Sequence, residues 1–186
     1  MKKVLSLLVI ILFAAGISNA QGKMGIGITA GASIGMGDFG TAYGTGFGGD
    51  GTFMYMVGRN LDVTGSAGYH TWSKNSASFH TIPVLIGLRY YVGNGKVMPY
   101  LAAKAGMYFS SSTVDVPSYT IGGITVGGGS VSASTSDFGF LGGVGVLFPA
   151  GRNLDIDVNA GYNLITTSGS STGYIDINGG VRIGLK

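Results

Sequence analysis

The feature that most constrains the fold is an alternation of apolar residues with small or polar ones, repeated along the chain after residue 20. Between residues 24 and 36, for example, Ile26, Ile28 and Ile34 fall on one face, while Gly, Thr and Ser occupy the other. A period of two is typical of β-strands whose two faces meet different surroundings. The alternation predicts eight strands, at residues 24–36, 45–57, 61–70, 82–92, 100–109, 138–148, 154–164 and 175–185.

The connections between these segments alternate in length. Short turns follow the even strands, at 58–60, 93–96 and 150–153. Longer polar connections follow the odd strands, at 37–44, 73–80, 110–137 and 165–173. This places all the short turns at one end of a meander, as in outer-membrane barrels with short periplasmic turns and long extracellular loops. The sequence therefore predicts an all-β fold, an eight-stranded antiparallel up-and-down transmembrane β-barrel with both termini on the periplasmic side.

The charged residues indicate which face lines the lumen. A soluble, lipocalin-type barrel would present a charged exterior to water, but only 10% of this chain is charged and Glu is absent. The few charges fall on the polar face of the strands, and we expect them to form a structural network inside the barrel, because an unpaired charge in a narrow lumen is costly. Two ion-pair groups are expected near the periplasmic end, one between Asp62 and Arg89 and one among Asp155, Asp157 and Arg182. The full predicted network is Asp62, Arg89, Lys104, Asp155, Asp157, Asp176 and Arg182.

The first twenty residues have the layout of a secretory signal peptide. Lys2 and Lys3 precede a largely apolar run from residue 4 to residue 15, and Ser18 and Ala20 occupy the −3 and −1 positions of a cleavage site. The run is too short for a transmembrane helix, which needs about 20 apolar residues. We therefore expect a cleavable, helical signal peptide at 1–20 and a barrel domain at 21–186.

The remaining composition excludes several classes of protein. The chain has 36 glycines, and each costs a helix about 1 kcal/mol relative to Ala, so no helix is expected after the leader. Cys is absent, which excludes disulfides and Cys-ligated metal sites. The formal charge of +3 includes two Lys of the leader, and the barrel lacks the clustered basic face of a nucleic-acid-binding protein.

A resemblance to a known family rests on the leader that ends at Ala20, the strand Ile-Pro-Val-Leu-Ile-Gly-Leu-Arg-Tyr-Tyr-Val at 82–92, and the turn into Pro99-Tyr100-Leu101. Over essentially all of 21–186, the chain resembles the eight-stranded outer-membrane β-barrels of the OmpA and OmpX type found in Gram-negative bacteria. The resemblance implies a location in the cell outer membrane after Sec-type export, amid lipid and lipopolysaccharide. It also implies periplasmic chaperones and the barrel-assembly machinery as partners during biogenesis, and no cofactor. We expect no peptidoglycan-binding domain after the last strand.

Candidate catalytic residues are few. The segment 31–35 matches the G-x-S-x-G nucleophile elbow and 44–49 matches G-x-G-x-x-G, but neither is expected to function because no strand-to-helix turn accompanies them. His70 and His80 flank the connection at 73–80 and, with a carboxylate, could activate a nucleophile at the barrel rim. Nothing has the convergent spacing of a metal site. We predict that the protein is not an enzyme, and we retain a rim-site hydrolase acting on lipid A or peptides as an alternative.

The connection 110–137 is the longest of the predicted connections and differs most from the others. Its Thr-Ile-Gly-Gly-Ile-Thr-Val stretch, at 120–126, predicts strands that protrude above the membrane. A protruding strand edge can recruit a further strand from a partner, although surface loops rich in Ser and Gly also vary without function. The sequence therefore predicts a structural or surface-interaction role, adhesion-like if 110–137 binds an extracellular partner, with a narrow channel as a further alternative.

One short repeat occurs at two of the short turns. Gly-Arg-Asn-Leu-Asp-Val at 58–63 recurs as Gly-Arg-Asn-Leu-Asp-Ile at 151–156, and both copies lead to Ala-Gly-Tyr. Convergent turn chemistry explains the repeat better than duplication of half a barrel, because the other strands match less well.

Overall fold

The strands close into a single barrel in which each strand pairs with its sequence neighbours and β8 returns to β1. The computed structural model describes residues 24–74, 77–93, 95–122, 124–167 and 170–185; the predicted signal peptide, 1–20, lies outside them. All eight pairings are antiparallel, which confirms the predicted fold class. The strands are β1 Met24–Met36, β2 Thr45–Met56, β3 Leu61–Lys74, β4 Ala77–Tyr91, β5 Met98–Ile121, β6 Ile124–Pro149, β7 Leu154–Thr167 and β8 Ser170–Leu185.

The apolar face of the strands points outward. Ile28, Phe47 and Ile86 are 63%, 70% and 66% exposed on the outer surface, whereas their neighbours along each strand point into the lumen. This inverts the usual soluble arrangement and is typical of a barrel whose exterior meets lipid. Closure through the β1–β8 pairing, from Met24↔Leu185 to Met36↔Gly173, leaves no free sheet edge around the wall, as a sheet in hydrocarbon requires.

The lumen is filled by side chains, because an eight-stranded barrel is only about wide enough for them. One buried apolar cluster comprises Trp72, Leu85, Tyr108, Ile165 and Tyr174, and a second comprises Tyr91, Tyr100 and Leu147. Large inward side chains face glycine on the neighbouring strand. A Cβ at position 48 would overlap the imidazole of His70, and one at position 145 would overlap the ring of Tyr100.

The expectation that no helix follows the leader is wrong. A seven-residue helix, α1, spans Gly37–Tyr43 in the connection between β1 and β2. Its aromatic side chains give the physical reason, since Phe39 lies 5.2 Å from the ring of Trp72 and 5.0 Å from that of Phe79. Lys74 Nζ donates to the carbonyl of Thr41 at 2.8 Å. Packing onto the barrel mouth thus offsets a weak intrinsic propensity. Within the described residues, no helix is long and apolar enough to cross a membrane.

Three of the predicted long connections are mostly strand. β5 and β6 run 24 and 26 residues and meet near residue 122, so 110–137 is a long hairpin, which confirms the strands predicted at 120–126. β3 continues to Lys74 and β7 to Thr167, well into the connections predicted at 73–80 and 165–173. Beyond the lipid these strands are rich in Ser, Thr and Gly, and regular apolar alternation no longer marks them. Antiparallel pairing continues nonetheless, as between Thr113 and Ser132.

Candidate functional site in the barrel lumen

A hydrogen-bonded group of four residues from four strands lies toward the end of the lumen that bears the long connections. Ser33 Oγ lies 2.8 Å from His70 Nδ1 and donates to Asp176 Oδ1 at 2.9 Å. On the other side of the imidazole, His70 Nε2 is 3.5 Å from Asp50 Oδ1. Ser33 and Asp176 are direct partners in the β1–β8 register. We call Ser33, His70, Asp50 and Asp176 the serine cluster.

Aromatic side chains cover the serine cluster. Trp72 Nε1 donates to the carbonyl of Ser33 at 2.8 Å, and the indole stacks on the imidazole of His70 with ring centroids 6.1 Å apart. Tyr174 packs edge-on against Trp72 at 5.0 Å, and Phe39 of α1 covers the indole from above. Ser33, Trp72 and Tyr174 have 0% exposure. The group has the residue types of a catalytic triad, but its hydroxyl is closed to any substrate in this conformation.

The two histidines do not share a site. His70 is 1% exposed and points into the lumen, so the prediction that places it at an open rim is wrong. His80 lies on the opposite, outer face of the wall. Its Nδ1 is 2.9 Å from the hydroxyls of Tyr69 and Thr71. The strand period explains the separation, since neighbouring positions such as His70 and Thr71 face opposite ways and His80 pairs in register with Thr71.

A second group lies toward the short-turn end, where Arg89 and Asp157 meet across the lumen. Arg89 Nη1 is 3.4 Å from Asp157 Oδ2, and both side chains are buried. Tyr100 Oη donates to Asp157 Oδ1 at 2.7 Å, and the guanidinium lies 4.0 Å from the centroid of the Tyr100 ring. Together with Tyr100, the pair therefore connects β4, β5 and β7. We call Arg89, Asp157 and Tyr100 the ionic cluster.

The other charges predicted for this end have different partners from those expected. Asp62 is the register neighbour of Arg89, yet its carboxylate accepts a hydrogen bond from Tyr91 Oη at 2.7 Å, and Arg89 pairs with Asp157 instead. Arg182 pairs with Asp155, at 3.6 Å between Nη1 and Oδ2. The expected grouping of Asp157 with Arg182 is not what the structure has, because the carboxylate of Asp157 points across the barrel and not along the β7–β8 ladder.

Lys104 lies at mid-height, between the two groups. Its Nζ donates to Ser66 Oγ at 3.2 Å. The side chain lines a polar cavity of about 50 Å³, which Asp50, Asp157, Asp176 and Asn178 also line. A polar cavity of this size has room for a few water molecules, which would separate Lys104 from the carboxylates. In the part of the chain that the structure describes, no group of three His or Asp side chains could hold a metal ion.

Several residues that connect these groups are not predicted from the sequence. Tyr108 Oη donates to Asn163 Oδ1 at 2.8 Å, and Asn163 Nδ2 donates to Asp176 Oδ2 at 2.6 Å. From the sequence, Ser33 stands out only as the serine of the G-x-S-x-G match at 31–35, where no catalytic function is expected. Each of these side chains occupies an inward position of the alternation, so the period of two predicts that it points into the lumen. The period cannot predict which inward residues lie at the same height in the barrel.

Comparison with known proteins gives one family and several structural relatives. Residues 5–185 match the family described as the outer membrane protein β-barrel domain. No curated protein matches the sequence significantly.

Among solved structures, the barrel is similar to Neisserial surface protein A, with 18% identity over 86% of this chain and 96% of that one and a TM-score of 0.62. It is also similar to Ail, the attachment invasion locus protein of Yersinia pestis, with 17% identity over 88% of this chain and all (100%) of Ail and a TM-score of 0.57. Ail in complex with the heparin analogue sucrose octasulfate gives 18% identity, the same 88% and 100% coverage and a TM-score of 0.50. At these identities the likeness concerns the fold alone.

Proposed function

The chain belongs to the outer membrane protein β-barrel domain family, and we propose that it is a non-enzymatic outer-membrane protein whose β5–β6 hairpin binds a partner outside the cell. The observation that carries this proposal is the free edge of that hairpin. Among the described residues, the pairing of β4 with β5 ends at Val114 and the pairing of β7 with β6 begins at Phe138. Beyond these limits the described pairings of β5 and β6 are with each other alone.

An unpaired strand edge offers main-chain donors and acceptors to a further strand. Few charges protect the edge of this hairpin, since 110–137 contains two Asp and no Lys or Arg. Val131 adds an apolar side chain that is 66% exposed. These features favour addition of an extended segment from a partner protein.

A sulfated glycan is a less suitable partner for this chain. The complex of Ail with a heparin analogue suggests polyanion binding as a comparison, but a polyanion needs a basic surface. The hairpin has none, and Lys74, which is the basic residue of the described extracellular end, donates to the backbone of α1. We therefore propose a protein partner engaged by main-chain pairing.

The hairpin can be shortened without touching the barrel. Val114 and Val131 are direct partners, so residues 115–130 can be replaced by an Asn-Gly turn that suits a two-residue hairpin. Bacteria that display the full-length chain should attach to cultured epithelial cells, and the shortened variant should lose about tenfold in attachment if one interface carries binding. Val131→Lys should weaken attachment and Val131→Thr should retain it, because charge, but not a β-branched residue, blocks strand addition. Equal attachment by the full and shortened chains would refute the proposal.

Hydrolysis at the serine cluster is the second candidate, favoured by the 2.8 Å contact between Ser33 and His70. It would require α1 and Trp72 to move, because the hydroxyl has no open approach. A fluorophosphonate probe, which labels activated serines, should leave the folded protein unlabelled. Labelling that disappears in Ser33→Ala would establish the hydrolase and overturn the non-enzymatic role.

The charged residues of the lumen are proposed to serve stability. Arg89 and Asp157 tie opposite walls together, and the aromatic cover of the serine cluster obstructs the other end. Because the lumen is obstructed at both ends, a function as a narrow channel is disfavoured. Planar-bilayer recordings should show no steady conductance for the wild-type barrel.

A further inference from the structure

The strand β6 extends above the barrel wall with one of its two edges unpaired. Among the described residues, β7 accompanies β6 only as far as the pair between Phe138 and Thr166. The stretch 129–137 continues β6 toward the extracellular side, where its other edge pairs with β5. Residues 129–136 are all exposed. We call 129–137 the β6 edge, and at about 3.4 Å per residue it is about 30 Å long.

A break in the ladder between β5 and β6 marks the extracellular limit of the β6 edge. Val116 pairs with Gly129, but the described ladder has no pair between Pro117 and Gly128. Pro117 has no N–H to donate to a ladder, and Gly128 has a φ of +90°, a conformation that favours glycine. The β6 edge is therefore a defined segment between this break and the barrel wall.

The β6 edge lacks the features that protect exposed strands. Natural proteins place Pro, Lys or other charged residues on such edges to prevent pairing with another chain. On β5, Pro117 interrupts the corresponding edge. The β6 edge has no Pro, Lys or Arg, and its one charged residue, Asp137, lies next to the wall and accepts a hydrogen bond from Thr135 Oγ1 at 2.7 Å. A further strand is thus expected to add at β6 and not at β5.

The sequence of the β6 edge is complementary to itself. When two copies pair in antiparallel orientation, a two-fold axis at the middle residue, Ala133, brings the whole of one edge against the whole of the other. Hydroxyl side chains then face hydroxyl side chains, two β-branched residues face each other, and no like charges are opposed. The opposed residues, one from each copy, are Gly129 with Asp137, Ser130 with Ser136, Val131 with Thr135, Ser132 with Ser134, and Ala133 with itself.

Contacts of the same kind already exist within one molecule. Thr113 Oγ1 lies 3.1 Å from Ser132 Oγ, and Ser134 Oγ donates to Ser111 Oγ at 3.3 Å. Pairing of Ser132 with Ser134 of a second copy would continue these contacts as one hydroxyl ladder across four strands. A two-stranded ribbon is only marginally stable by itself. Pairing would therefore stabilise the part of the hairpin that extends beyond the wall.

We infer that the β6 edges of two copies of this chain pair in antiparallel orientation about a two-fold axis at Ala133, with the two barrels in facing membranes. Antiparallel strands direct the two hairpins in opposite directions, so the contact joins two membranes and not two neighbours in one membrane. It ends at a dimer, because a two-fold contact uses the same edge of both copies. The contact uses the hairpin of the proposed function but needs no protein other than this chain.

Single cysteines test the register, because the chain has no cysteine of its own. With the axis at Ala133, the two copies of residue 133 lie about 5 Å apart between Cα atoms, within the reach of a disulfide. The two copies of residue 132 lie about 8 Å apart, which is too far. The folded barrel is purified in detergent from cells that express the full-length chain, and is then oxidised. Ala133→Cys should form disulfide dimers at least about tenfold faster than Ser132→Cys or Ser134→Cys alone.

A mixture of two variants sharpens this test. Ser132→Cys and Ser134→Cys, each slow to dimerise alone, should form a mixed disulfide dimer when combined, because the register places these two positions opposite each other. Heat-modifiable gel migration verifies that each variant is folded.

Charge substitutions at the axis test whether the contact joins membranes. Phospholipid vesicles that carry the wild-type barrel should cluster. Ala133→Asp should abolish clustering, because the axis places its two carboxylates directly opposite each other. Ala133→Asn, the uncharged control of similar size, should retain it. Vesicles with Ala133→Asp should cluster with vesicles that carry Ala133→Lys, although neither kind clusters with itself.

Several results would overturn the inference. Folded Ala133→Cys that stays monomeric under oxidation would exclude the contact, and equal rates for the three single cysteines would mean random collision. Vesicles that cluster equally with Ala133→Asp and with the wild-type chain would place the contact elsewhere. The two proposals fail separately. Attachment to epithelial cells by a chain whose Ala133→Cys variant stays monomeric would refute self-pairing alone, whereas dimers without attachment would refute only the proposed function.

Discussion

At the extracellular end of the lumen the buried side chains are aromatic rings around a hydrogen-bonded serine cluster, whereas at the periplasmic end they are arginines, aspartates and tyrosines. The extracellular group is covered by the seven-residue helix α1, which lies over the barrel mouth and is not part of the wall. The periplasmic group is held by the wall itself, since Arg89 and Asp157 stand on β4 and β7. The lumen is thus closed at one end by a packed helix and at the other by an ion pair between two strands of the wall.

This difference predicts how strongly mutations at each end should lower the stability of the barrel. The aromatic cover of the serine cluster loses free energy in proportion to the atoms removed. A buried ion pair is less forgiving, because removal of one partner leaves the other charge without compensation. Mutations of similar size should therefore be more costly in the ionic cluster than near α1.

The largest effect is expected for Asp157→Ala. It leaves Arg89 buried without its carboxylate and removes the acceptor for Tyr100, so the free energy of unfolding should fall by about 3–5 kcal/mol. Asp155→Ala is the matched control on the same strand. The Asp155–Arg182 pair is longer and less deeply buried, with side chains 18% and 10% exposed, so its loss should cost less, about 2 kcal/mol.

Both variants can be measured by reversible guanidinium unfolding in lipid vesicles, with Trp72, the one tryptophan of the chain, as the fluorescent probe. Similar losses for the two variants would contradict the contrast between a buried tie and a peripheral pair.

A smaller effect is expected when the cover of the extracellular end is loosened. Phe39→Ala removes the ring that contacts Trp72 and Phe79 and should cost about 2 kcal/mol, because Phe39 is only partly buried. Access of acrylamide to Trp72 should rise, since α1 then has little to hold it over the indole. Asp38→Ala, on the exposed side of the same helix, should leave quenching unchanged. If Phe39→Ala leaves quenching unchanged as well, α1 is not the cover of this end.

The smallest effect distinguishes two buried tyrosines of the extracellular group. Tyr108 donates to Asn163, so Tyr108→Phe should cost about 1 kcal/mol. The hydroxyl of Tyr174 has no hydrogen-bond partner among the described residues, so Tyr174→Phe should be neutral or slightly stabilising. The same unfolding assay measures both. The opposite ranking would mean that an unseen acceptor, such as an ordered water, serves Tyr174.

The barrel wall was largely predictable from the sequence. Period-two alternation located all eight strands, and the absence of Glu together with the few inward charges indicated an apolar exterior. The prediction was incomplete where lipid no longer imposes a difference between faces. Above the membrane, strands were predicted at 120–126 but not in the Ser-rich stretches that join them to the wall. The helix α1 forms through contacts of Phe39 and Tyr43 that the local sequence pattern does not indicate.

For the lumen, the sequence predicted which residues point inward but not which of them contact each other. Inward positions such as Arg89, Asp157 and Asp176 follow from the alternation, but their partners do not. Arg89 and Asp157 are separated by 68 positions, and they meet only because the closed sheet brings β4 and β7 to face each other at one level. The same closure placed His70 beside Ser33 instead of beside His80.

By itself, then, the sequence determined the number of strands, their up-and-down order and which face meets lipid, because these depend on local period and on the length of connections. The tertiary structure alone decided which inward side chains meet and that a helix covers the extracellular end. Those outcomes depend on the stagger of eight strands around a closed barrel, a quantity set jointly by all of them.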